Sequence, residues 1–215
     1  MSREVSFRIG GNVLFGNLDV PEGATSLVIF SHGSGSSRFS VRNRHVASRL
    51  NHEGIATLLT DLLTDAEDRI YQNRFNIDLL TDRLVEVTLQ ASQMKELKDL
   101  AIGYFGASTG AASALKAAAK LDQKIEAVVS RGGRPDLAKS ALLEVKAPVL
   151  LIVGSLDTDV IMLNEQAYGL IFCEKRLEVI EGAGHLFEEP GKLEEVADMA
   201  IDWFIKHLHR HFVMK

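Results

Sequence analysis

Residues Val5 to Ile9 alternate apolar and polar positions with period two, and the alternation resumes from Val13 to Val20 after Gly10-Gly11-Asn12. Two such stretches around a glycine turn predict an antiparallel hairpin. At Leu27 to Phe30 the pattern becomes a continuous apolar run, as in a strand covered on both faces. The spacing then turns helical from Val41 to Glu53, with Val46, Ala47 and Leu50 on one face and Gly54 as a stop. Ile55 to Asp61 reads as the next strand. From Leu62 to Asn76 periodicity dissolves into a polar loop carrying Tyr71 and Phe75. It returns from Ile77 to Met94, where Leu80, Leu84, Val87 and Ala91 share a face.

Beyond this, Leu100 to Phe105 predicts a buried strand and Ala111 to Leu121 a helix. Ile125 to Ser130 is a strand, and Pro135 opens a short helix. Val149 to Val153 is another strand. A helix over Leu163 to Phe172 leads to a strand from Arg176 to Glu181. A last helix runs from Leu193 to His209, with Val196, Met199, Ala200, Trp203 and Phe204 inward. Strands alternating with helices predict an α/β fold: a mostly parallel sheet, an antiparallel N-terminal hairpin and helices on both faces. No linker and no large inserted cap divides residues 1–215, so a single domain is expected.

Composition narrows the function classes. Lys and Arg number 24 against 29 Asp and Glu, a net charge of −5, so bulk electrostatics recruit neither nucleic acid nor an anionic membrane. No apolar run approaches the ~20 residues needed to span a bilayer. The N-terminus lacks the apolar stretch of a signal peptide. Cys173 is the one cysteine, which excludes an internal disulfide and suits a cytoplasmic protein.

The chemistry gathers at the ends of the predicted parallel strands, where ligands sit in open sheets. Gly106-Ala107-Ser108-Thr109-Gly110 is a G-x-S-x-G between a strand and a helix, the pattern of a nucleophile elbow. Asp157 and His185 follow later strands, in the order nucleophile, acid, base. A serine hydroxyl is a weak nucleophile until a base takes its proton, the role expected of His185. Asp157 would orient the imidazole, with Asp159 as the competing carboxylate. The oxyanion would be met by the backbone N–H of Thr109 and by that of Ser34, in the loop after Phe30.

Other polar clusters read as structure. His32 orders its own loop. His207, His209 and His211 lack an acidic or cysteine partner that would complete a metal set. Asp61, Asp65, Glu67 and Asp68 form a solvated loop without calcium-loop spacing. Arg38, Arg42, Arg44, Arg131 and Arg134 read either as surface ion pairs or, for Arg38 and Arg131, as a clamp on an anionic substrate group.

The chain resembles an α/β-hydrolase of the dienelactone-hydrolase-related superfamily. It is similar in particular to a small bacterial group sometimes fused to a phosphoribosyltransferase domain. The resemblance rests on Ser31-His32-Gly33-Ser34-Gly35-Ser36-Ser37-Arg38, Arg42-Asn43-Arg44, Tyr104 to Gly110, Ser130 to Asp136, and Gly184-His185-Leu186-Phe187-Glu188-Glu189-Pro190. It implies the α/β-hydrolase fold and the roles of Ser108, Asp157 and His185. Dienelactone hydrolases proper carry a cysteine nucleophile where this chain has Ser108, which speaks against dienelactone itself. The expected activity is hydrolysis of a small ester or related acyl compound, with no metal and no organic cofactor. Acyl transfer or thioester cleavage on the same site, and a non-catalytic binding module, remain open. A small acyl substrate is the expected partner, a homodimer is an option, and a phosphoribosyltransferase association rests on family analogy alone. Segment 62–76, with Tyr71 and Phe75 as apolar walls, is expected to shape the pocket.

Overall fold

The computed structural model describes residues 2–208. Strands β1 (Arg3–Ile9) and β2 (Asn12–Asp19) form the expected antiparallel hairpin, with Arg3 opposite Leu18 and Ile9 opposite Asn12. Six further strands complete one sheet: β3 (Ser26–Ser31), β4 (Ala56–Thr60), β5 (Ala101–Ala107), β6 (Ile125–Arg131), β7 (Val149–Gly154) and β8 (Lys175–Ile180). Their order is β1-β2-β4-β3-β5-β6-β7-β8, and every pair from β4 to β8 is parallel. The two sides of the sheet bury separate apolar clusters, which accounts for β3, β4, β5 and β7 being buried at every position.

Helices α1 (Val41–His52) and α6 (Lys192–His207) cover one face, through Val46, Ala47 and Leu50 from the first and Val196, Ala200 and Phe204 from the second. Helices α3 (Ile77–Ala91) and α4 (Thr109–Leu121) cover the other with α5 (Thr158–Leu170), through Leu80, Leu84, Leu115 and Ala167. Side chains start two of them: Ser40 accepts from Asn43 N–H in α1, and Asn76 from Leu79 N–H in α3. No large cap interrupts the described residues, and no helix among them is long and apolar enough to cross a membrane.

Two stretches differ from the sequence pattern. The polar segment after β4 contains a short helix α2 (Asp65–Asp68) and a 3-10 turn over Tyr71–Phe75. Polar contacts hold it: Glu67 caps α2 reciprocally with Thr64, bonds Asn12 Nδ2 at 3.2 Å and pairs with Arg83 at 2.7 Å. Periodicity of apolar residues could not register that. Helix α5 begins at Thr158, five positions before the expected Leu163, because only Val160, Asn164 and Ala167 of it are buried. The expected end of the last helix, His209, lies outside the described residues, as does His211.

Candidate active site

The strand order reverses direction between β3 and β5, so their carboxyl ends flank the crevice where open α/β sheets take ligands. Ser108 stands at that point, between β5 and α4, with φ 51° and ψ −124°. A non-glycine residue there is strained, and strain of this kind persists only where its surroundings impose it. They do so here through glycine. A methyl group on Gly106 would come within 2.5 Å of Ala111 Cα, and one on Gly110 within 2.2 Å of Ser31 O. The loop after β6 holds the elbow from the other side. Ser108 N–H donates to Arg131 O at 3.2 Å, and Ser108 O accepts from Arg134 N–H at 3.0 Å. That backbone clamp is a role for Arg131-Gly132-Gly133-Arg134 that side-chain chemistry gave no sign of.

Asp157 and His185 arrive on loops stitched to each other. Leu156 N–H bonds Ala183 O, Ser155 N–H bonds Ile180 O and Gly182 N–H bonds Ser155 Oγ. A methyl on Gly154 would meet Ala183 O at 2.2 Å, so the two loops can close only over glycine. His185 Nδ1 then lies 2.6 Å from Asp157 Oδ2, the ring half-exposed and the carboxylate more enclosed. Asp159, the competing acid, sits in the first turn of α5. Glu189 braces the histidine loop by accepting from Gly184 N–H at 3.1 Å.

The imidazole stands over the strand next to the serine. A methyl on Gly132 would be 3.6 Å from His185 Cε1, and Gly132 directly follows Arg131, whose carbonyl receives the Ser108 N–H. Among the described residues no hydrogen bond joins Ser108 Oγ to His185. Contacts between nucleophile and base are often loose without substrate and tighten in the complex.

On the β3 side, Gly33 lies against Ser108. A methyl there would stand 3.0 Å from Ser108 Cβ and 3.8 Å from its Oγ. Ser34 N–H donates to Thr109 Oγ1 at 2.8 Å. His32 is buried and neutral in its bonding: Nδ1 lies 3.0 Å from Gly33 O, and Nε2 accepts from Leu62 N–H at 3.2 Å. Burial pushes its pKa below the usual imidazole value. A cleft of about 150 Å³, walled by His32, Ser36, Asp61, Leu63, Asp65 and Asp68, opens between this loop and the segment after β4. Tyr71 and Phe75, at the two ends of the 3-10 turn, are exposed with ring centroids 5.0 Å apart and do not line this cleft. Arg74, which the sequence did not single out, reaches 3.9 Å from where a Gly35 methyl would sit, and Asp68 orients it.

Arg38 and Arg131 part company. Arg38 pairs with Asp61 at 3.1 Å and Glu4 at 2.8 Å, bonds Asn17, and lies between the Phe15 and Phe39 rings. Arg131 turns under the histidine loop. It donates to Asn43 Oδ1 at 3.3 Å and faces the Phe187 ring at 5.9 Å. The two guanidiniums share no partner. Arg42 pairs with Glu188 at 2.6 Å, and Arg134 with Asp136 at 2.8 Å.

Residues 16–208 match the model of a family described as the dienelactone hydrolase family. A crystal structure of a dienelactone hydrolase from Anabaena variabilis is 52% identical, with a TM-score of 0.94 over 97% of this chain and 99% of that one. Est1E from Butyrivibrio proteoclasticus, at 18% identity and a TM-score of 0.77 over 94% and 98% of the two chains, shares the fold. Two curated relatives from Mycobacterium tuberculosis, provisionally named phosphoribosyl transferases, are 53% identical over 205 residues. The match takes in 95% of this chain and 46% of each relative, so the chain spans about half the length of these proteins.

Proposed function

The chain belongs to the dienelactone hydrolase family, and from that premise we propose that it is a hydrolase that cleaves a small ester or related acyl compound through an acyl-enzyme on Ser108. The observation that carries this reading is the 2.6 Å contact between His185 and Asp157 beside a strained serine elbow. With Nδ1–H held by the carboxylate, Nε2 is free to accept the Ser108 proton as Oγ attacks the carbonyl carbon. The carbonyl π pair moves onto oxygen, where the Thr109 N–H, at the open N-terminus of α4, provides a hydrogen bond. His185 then returns the proton to the leaving group, and water repeats the sequence on the acyl-enzyme. Leu156 and Leu186, next to Asp157 and His185 in the chain, are exposed and offer apolar surface for a short acyl or alkyl group.

The phosphoribosyl transferase name belongs to longer proteins, and a serine–histidine–aspartate set gives no reason to carry that activity over. A fluorophosphonate probe should label the protein at one serine, and Ser108→Ala should abolish both labelling and turnover of short acyl esters. Asp157→Asn should lower kcat on the order of 10³–10⁴-fold. Undiminished labelling of Ser108→Ala would refute the assignment.

A further inference from the structure

The geometry points to the Thr109 side-chain hydroxyl as a direct donor to the oxyanion, with the Ser34 N–H standing behind it rather than beside it. This deepens the serine-hydrolase reading and rests on it. A backbone pair in the loop after β3 and the residue after the nucleophile would ordinarily both face the carbonyl oxygen. Here Ser34 N–H is already committed to Thr109 Oγ1 at 2.8 Å, a normal hydrogen-bond length. The hydroxyl oxygen therefore already accepts one hydrogen bond, of the two its lone pairs allow. Its own proton goes to no acceptor among the described residues.

Position decides where that proton is useful. Thr109 is the first residue of α4, so its N–H has no partner within the helix. Oγ1 hangs two bonds from the Cα that carries this N–H, and the two groups can present adjacent donors to one acceptor. The Gly33–Ser34 peptide that feeds the hydroxyl lies directly over Ser108, within 3.8 Å of Oγ at the Gly33 methyl position. Thr109 is 5% exposed, so water competes little for the proton. In such surroundings a hydroxyl that accepts from one N–H becomes a stronger donor. The arrangement is a relay, Ser34 N–H to Thr109 Oγ1 and Thr109 O–H to the oxyanion.

The test is the rate of phosphonylation of Ser108 by a fluorophosphonate, whose P=O occupies the same position as the substrate oxygen. Rates are normalised to the fraction of folded protein. Thr109→Val keeps the shape and both backbone N–H groups but removes the hydroxyl. Thr109→Ala does the same and demands no room, so it covers the case in which valine disturbs folding. Both should slow labelling on the order of 10²-fold. Thr109→Ser should stay within about threefold of the parent, because it restores the donor. Labelling by Thr109→Val and Thr109→Ala as fast as the parent, or faster, would overturn the relay and return Ser34 N–H to direct contact. Equal slowing in all three variants would also overturn it, since the methyl and not the hydroxyl would then matter. A parent protein that fails to label at all would instead remove the serine-hydrolase reading beneath it.

Discussion

At the scale of single residues, Arg131 is the least comfortable group in the described structure. It is 5% exposed, its Nε has no partner, and no carboxylate lies within ion-pair distance of it among the described residues. Burial, with the charge of Arg42 adding to it, pushes its pKa down to about 10. A base whose folded pKa is lowered costs stability at every pH below that value, and the cost fades as pH rises through it. Replacing such a cation by an apolar side chain of similar length is often stabilising by ~1–4 kcal/mol. Arg131→Met should therefore raise the unfolding free energy at pH 7 by about 1–3 kcal/mol, or several degrees in Tm at roughly 2–4 °C per kcal/mol for a chain of this size. Urea titration gives the answer, and a drop of that size would mean that the guanidinium is better satisfied than its protein neighbours suggest. Sequence showed the arginine and its place after a strand. It could not show that the side chain turns away from the serine and under Phe187, because a strand end allows either face.

At the scale of elements, the elbow works because two glycines let β5, β3 and α4 approach, and these contacts were legible in the sequence as G-x-S-x-G. Gly110 is the tighter of the pair, with Ser31 O only 2.2 Å from a methyl. The obstacle is backbone, which cannot swing aside. Gly110→Ala should cost upwards of ~3 kcal/mol and displace the first turn of α4, so labelling of Ser108 should fall with stability. Gly169 is the control, lying in the exposed last turn of α5 with nothing within 4 Å of a methyl. Gly169→Ala should raise stability by about 0.5–1 kcal/mol, with labelling unchanged. A thermal melt of the two variants side by side checks both signs. The elements that sequence missed or shortened share one physical cause. Segment 62–76 and the start of α5 are held by polar contacts or bury few side chains, so they leave no apolar period to read. The same holds for the backbone clamp of Arg131 and Arg134 on Ser108, which uses no side chain at all.

At the scale of the whole molecule, a mostly parallel sheet follows from alternation of strands and helices, but the strand order and which loops meet across the switch point do not. On the β3 side of that point, His32 is one of the groups that brace the loops. It links the loop after β3 to the chain leaving β4 through Leu62 N–H, and its other nitrogen holds Gly33 O. Both bonds require a neutral ring with the proton on Nδ1, and burial keeps it neutral by lowering the pKa from 6.5. The unfolded chain protonates this imidazole as pH falls through 6.5, whereas the folded protein holds the ring neutral to lower pH. Stability from His32 is thus fully present above that pH and is lost below it. Urea midpoints at pH 7.5, 6.5 and 5.5 should trace that decline. His32→Gln should start lower at pH 7.5, having lost the bridge, and should show a flatter profile over the same range. If the variant keeps the parent's slope, the acid sensitivity belongs to another group, and the bridge between the two loops contributes to stability without titrating.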